Sequence, residues 1–108
     1  MRIARVSFSY LAGETAITKK LPLDANGFAL VIKVTIPDVA NTPTATLAIY
    51  DKDGDLIFSK ASIAENATTV IHAVAESKDI PLMPGANVIL TFSGAPGAST
   101  STVTFYVA

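Results

Sequence analysis

The sequence has no cysteine, no tryptophan and a single histidine, and charged residues make up only 16% of it. Without cysteine there is no disulfide, no thiolate nucleophile and no thiolate metal ligand. His72, the lone histidine, would need three oxygen ligands beside it to hold zinc, an unusual set. A Ser-His nucleophile would need a hydroxyl in a setting such as Gly-x-Ser-x-Gly, and no such motif occurs. His72 shares a parity with Val70 and Val74. It is therefore read as a half-buried or interface histidine, with pH-sensitive assembly as its candidate role. The lack of tryptophan counts against a sugar-binding platform. The three tyrosines, Tyr10, Tyr50 and Tyr106, fall in or at the ends of alternating stretches and read as packing residues, with Tyr106 free to face outward opposite Phe105 in parity.

Charge of one sign is also missing. The net charge is −1, with acids and bases scattered singly, and Lys19-Lys20 is the only adjacent basic pair. Phosphate neutralisation along a nucleic acid needs a basic stripe, so nucleic acid is not an expected partner. No apolar run approaches the roughly 20 residues of a membrane-spanning helix, and no membrane partner is expected. Met1 to Arg5 leads straight into an alternating strand with no apolar leader, which reads as a cytoplasmic start. No pair of acids stands at a spacing that suggests general acid–base work, and Gly94-Ala95-Pro96-Gly97 lacks the following lysine and helix of a phosphate loop. These absences exclude each familiar reaction motif in turn; the expectation is a protein that is not an enzyme and has no cofactor, catalytic residue or metal site.

What remains is alternation. In Phe28-Leu30-Ile32-Val34-Ile36 five apolar residues share one parity, against Ala29, Val31, Lys33 and Thr35 on the other. A period of two places alternate side chains on opposite faces of a strand. The same pattern predicts strands over 3–10, 15–21, 44–50, 56–60, 68–74, 88–92 and 103–107, with the segment 61–66 left between loop and helical turn. Val88-Leu90-Phe92 and Val103-Phe105-Val107 are expected to form a last antiparallel pair across the small-residue loop Ser93 to Thr100. About eight short strands separated by Gly, Pro, Asn and Asp, with no helical period, predict an all-β chain: one antiparallel β-sandwich or jelly-roll domain over 1–108.

Asp51-Lys52-Asp53-Gly54-Asp55 is the one acidic cluster. A calcium loop of EF-hand type wants Gly at its sixth position and Glu at its twelfth. Here Gly54 is fourth and Ser62 stands twelfth, between strands rather than helices. A hairpin turn is the favoured reading, with weak cation binding left open.

Several phrases then carry a resemblance. Pro43-Thr44-Ala45-Thr46-Leu47, Asp51 to Ile57, Ala64-Glu65-Asn66-Ala67-Thr68, Thr91 to Gly97 and the ending Val103-Thr104-Phe105-Tyr106-Val107 resemble small virion proteins of tailed bacteriophages. Those are short all-β proteins encoded among head genes, and several act as capsid decoration or cement proteins. Pro81 to Gly85 is also similar to β-sandwich modules appended to secreted enzymes. The first resemblance implies a homo-oligomer, commonly a trimer at capsid three-fold positions, whose partners are itself and the major capsid protein. It implies a place in the virion head, after synthesis in the host cytoplasm. The low charge content fits a surface covered by neighbours, although one rich in Thr, Ser and Ala would also suit water. The alternatives held beside it are a tail or fibre component and a carbohydrate- or cell-surface-binding Ig-like module. If assembly is the function, the expected contact residues lie in three segments: Met1 and Arg2 at the start, Asp53 and Gly54 in the acidic turn, and Ala95, Pro96 and Gly97 in the loop 93–100.

Overall fold

Strands form where the alternation lies, because a pleated chain buries every second side chain against a second sheet. The computed structural model describes residues 2–15, 17–39, 41–76 and 79–108. Among them run β1 (Arg2–Tyr10), β2 (Thr18–Leu23), β3 (Gly27–Ile36), β4 (Ala45–Tyr50), β5 (Leu56–Ile63), β6 (Ala67–His72), β7 (Pro81–Leu82), β8 (Ala86–Phe92) and β9 (Ser99–Val107). One sheet has the order β1-β9-β3-β6, with the short β7 also on β3, and the other has the order β2-β8-β4-β5. All pairings are antiparallel.

That order has a simple origin. Apart from β7, the chain pairs first strand with last, second with next to last, and so inward: β1 with β9, β2 with β8, β3 with β6, β4 with β5. This is one long hairpin rolled up until β9 meets β3 and β8 meets β4, which is the jelly roll. It differs from the immunoglobulin arrangement of strands, so the Ig-like alternative does not describe this fold. The inward residues of both sheets make the core. Phe8, Phe58, Phe92 and Phe105 are among its largest fully buried side chains, beside Ile32, Ile36, Leu47, Ile49 and Leu90. Each such side chain contributes about 1.5–3 kcal/mol through burial.

The structure corrects five details of the sequence reading. The five-residue apolar face of β3 is interrupted: the register against β9 shifts between Ala29 and Val31. This bulge reverses the parity, so that Ala29 is buried while Phe28 and Leu30 are 53% and 43% exposed. The second strand runs through Pro22 rather than ending there; it is an edge strand, where a missing N–H is tolerated. Residues 61–63 extend β5. The strand expected over 68–74 ends at His72, and its buried side chain is Ile71, so His72 and Val70 point to solvent. His72 is thus exposed rather than half-buried, because the parity chosen from Val70 and Val74 is the outer one. Finally, β8 and β9 are not a hairpin. They belong to different sheets, face each other across the core, and are joined by a loop that crosses the end of the sandwich.

Candidate functional site

The surface divides by charge. All nine carboxylates lie between strands, whereas Arg2, Arg5, Lys19, Lys20, Lys33 and Lys60 lie within them. The strand registers give the outer face of the β1-β9-β3-β6 sheet as three rows. One is Ile3, Tyr106, Val31 and His72; the next is Arg5, Thr104, Lys33 and Val70; the third is Ser7, Thr102, Thr35 and Thr68. The hydroxyls are linked across strands, Thr35 Oγ1 to Thr68 Oγ1 at 3.1 Å and, beyond the third row, Ser9 Oγ to Thr100 Oγ1 at 3.3 Å. Lys33 reaches Tyr106, its Nζ 3.4 Å from the hydroxyl and 5.8 Å from the ring centroid. Among the described residues Arg5 and Lys33 have no salt-bridge partner; the ion pairs are Lys19–Glu14 at 2.8 Å and Lys60–Glu76 at 3.1 Å. The face is therefore cationic at its centre, hydroxyl-rich at one end and apolar at the other. Beside the apolar end lies a notch of about 350 Å³ lined by Phe28, Ala29, Leu30, Ala73, Val74, Asp79 and Ile80.

The contact residues expected from the sequence do not form one surface. Met1 lies outside the described residues. Arg2 pairs with Val107 at one end of the sandwich, and its guanidinium donates to the Asn26 carbonyl. The turn carrying Asp53 and Gly54 lies at that same end: Tyr50, just before it, pairs with Asn87 near the start of β8, and Lys52 packs against Gly85. Asp51 Oδ1 accepts from the N–H groups of Asp53 and Asp55, both at 2.9 Å, so this carboxylate is committed to holding its own turn. Asp53 and Gly54 themselves are exposed. Ala95, Pro96 and Gly97 follow the far end of β8 and lie at the opposite end of a molecule 37 Å long. Pro96 is buried and Gly97 has φ = 71°, so this loop is part of the packed end rather than a free tip.

At that same end Tyr10 is buried against Phe92, with Lys19 Nζ 4.7 Å above its ring. Burial, with the Glu14 charge second, pushes the Tyr10 hydroxyl up to about 12. The hydrogen bond from Lys19 and that from the Leu11 N–H hold the Glu14 carboxyl below its ordinary value. Sequence reasoning missed the outer face of the sheet altogether. Its signal was the confinement of carboxylates to turns, but the rows exist only once the register is known.

No protein-family model matches the chain, and no curated protein matches it by sequence. In fold it is similar to the SPBc2 prophage-derived protein YomS, with a TM-score of 0.51 and 11% identity over 97% of this chain and 95% of that one. A chain in the structure of infectious bursal disease virus Gx strain aligns at a TM-score of 0.45 and 14% identity, over 98% of this chain and 32% of that one.

Proposed function

We propose that the chain is a non-enzymatic structural protein of a tailed-phage virion, which decorates and cements the head as a homo-oligomer, most simply a trimer, bound to the major capsid protein. The observation that carries this reading is the jelly roll's outer sheet face, built from cationic, hydroxyl and apolar side chains with every carboxylate kept to the loops. Such a face is a contact surface rather than a reaction centre, and Arg5 and Lys33 suit an acidic neighbour. The likeness of head-protein phrases in the sequence supports it, as does the fold shared with a prophage-derived protein over nearly the whole of both chains. Mechanically, many modest contacts repeated by symmetry raise the free energy needed to separate capsomers.

The test has two levels. Particles are purified from an induced lysate of the strain carrying the gene, and their proteins are identified by mass spectrometry. Particles with and without the gene are then heated, and DNA release is followed, with purified protein added back. Absence of the chain from the particles removes the virion reading. Presence without any change in release temperature removes the cement role. A solution mass three times the 11.2 kDa of one chain supports the trimer.

A further inference from the structure

Among the described residues the two sheets leave four long edge strands, β1 and β6 in one and β2 and β5 in the other; the two-residue β7, also paired on one side only, carries Pro81. A bare edge is a template for another strand, and proteins guard edges with charges, proline, bulges and backbone irregularity. Three of the four long edges are guarded. β1 carries Arg2 and Arg5, and Lys19 Nζ donates to its Ser9 carbonyl at 2.7 Å. β2 carries Lys19, Lys20 and Pro22. β5 carries Lys60, two register shifts against β4, and Ser62 at φ = 59°. β6, Ala-Thr-Thr-Val-Ile-His, has no Lys, Arg, Asp, Glu or Pro and pairs with β3 without a shift.

The direction of its backbone groups follows from two hydrogen bonds. Ala73 N–H donates to the Leu30 carbonyl of β3, while the His72 carbonyl turns away and accepts from Glu76 N–H, both at 3.1 Å. Groups of successive residues in an antiparallel ladder point to alternate sides. Ile71 and Thr69 therefore bond β3, and the N–H and C=O of Thr68 and Val70, with the N–H of His72, point to an edge without a strand partner among the described residues.

We propose that β6 is an assembly edge that pairs with β6 of a second copy of this chain, antiparallel about a two-fold axis at Val70. The outward groups are centred on Val70, which makes the edge self-complementary. Val70 exchanges N–H···O bonds with Val70 of the partner subunit, and each His72 N–H meets the other copy's Thr68 carbonyl. The pairing joins two sheets into one and covers Val70, which is 47% exposed. On the outer face the nearest charged side chain is Lys33, one strand in, so the two copies' Lys33 backbones stand about 14 Å apart, beyond the Debye length at physiological salt. So short a joint falls below the roughly 1,200–2,000 Å² of a stable dimer. It is weak in solution and gains strength when repeated on a particle. It rests on the assembly reading above and names the joint; it links single chains or trimers alike, because a two-fold contact at β6 leaves any three-fold contact elsewhere.

The test is sedimentation equilibrium of the whole chain up to about millimolar concentration, the range a weak joint requires, with amide exchange by NMR at the same concentrations. The wild type is expected at least to double its mass with concentration, single chains forming dimers and trimers, with three such edges each, forming larger assemblies. The Val70 and His72 amides are expected to gain protection while those of Thr69 and Ile71 do not change. In Val70→Lys two ammonium groups would face each other across the axis, and the association is expected to weaken at least about tenfold. Val70→Pro removes an N–H that β3 does not use and is expected to do the same. Circular dichroism confirms that both variants remain folded. A wild-type mass that stays constant overturns the proposal, as does doubling that survives in both variants. Protection of these amides on particles does not rescue a wild-type mass that stays constant, because another protein's strand would protect them equally. The particle-content test above is independent: wild-type chain missing from particles ends the virion reading, whereas the joint stands or falls on mass and exchange alone.

Discussion

The rings of Tyr10 and Phe92 meet edge to face, centroids 5.4 Å apart and planes at 80°. The contact fastens the end of β1 in one sheet to the end of β8 in the other. Aromatic pairs of this geometry add about 0.5–1.5 kcal/mol to the burial itself. Tyr10 is 3% exposed, and its hydroxyl has no hydrogen-bond partner among the described residues. Tyr10→Phe keeps the ring contact and removes a buried polar atom, so it is expected to leave stability unchanged or raise it by about 1 kcal/mol. Urea unfolding of the two proteins checks this.

The same residue contributes to the pH dependence on the alkaline side. Its hydroxyl is pushed up to about 12, so the folded chain keeps a proton that the unfolded chain loses near 10. Stability is then full below pH 10 and declines as pH rises toward 12. Glu14 acts on the acid side with the opposite sign. Its carboxyl is held below its ordinary value of 4.5, chiefly by Lys19, so its contribution is present above that value and is lost as pH falls through the lowered one. Melting temperatures across pH should fall less steeply above pH 10 in Tyr10→Phe, and slightly less steeply in acid in Glu14→Gln.

Gly27 opens β3 at φ = 134°, and a Cβ there would fall on the Ala108 carbonyl oxygen. The backbone of β9's end cannot give way without losing the bond from Ala108 N–H to the Phe28 carbonyl, 2.9 Å. Gly27→Ala is expected to cost about 2–4 kcal/mol, strain and clash together. Gly54→Ala, with open space around its Cβ but φ = 86°, should cost about 1 kcal/mol. Denaturation midpoints separate the two.

Asp51 and Asp53 differ in kind although the sequence presents them as one cluster. Asp51→Ala removes the acceptor for two backbone N–H groups and should destabilise by about 1–2 kcal/mol. Asp53→Ala removes an exposed side chain and should change stability by less than about 0.5 kcal/mol. If Asp53 belongs to a contact, particle attachment will weaken in that variant with its melting point intact.

The loop after β8 makes a similar distinction. A charge at buried Pro96 is expected to destabilise the fold by about 2 kcal/mol or more, whereas one at exposed Ala98 is expected to leave it intact. Attachment measured in Ala98→Asp therefore reads the surface, and attachment in Pro96→Asp reads the fold. A melting point in Pro96→Asp equal to the wild type's would show that the loop is not packed as described.

The sequence by itself determined the strands and the turns, because both are local. Val6-Phe8-Tyr10, Leu47-Ile49 and Val88-Leu90-Phe92 show the period of two directly, and every one of these side chains is buried. The Asp51 to Asp55 turn likewise needs only its own residues. Tertiary structure alone decided the rest. The pairing of Arg2 with Val107 joins the two ends of the chain, and nothing near either residue specifies it. The same long-range closure placed β8 and β9 in different sheets. It also set the bulge that turns Phe28 and Leu30 outward, exposed His72, and sent the three expected contact segments to opposite ends. The outer face proposed for assembly was signalled locally only by carboxylates confined to turns, since its rows run across strands from four distant parts of the chain. Alternation tells which side chains share a face of a strand; only register, fixed by packing over the whole roll, tells which faces and edges become surface.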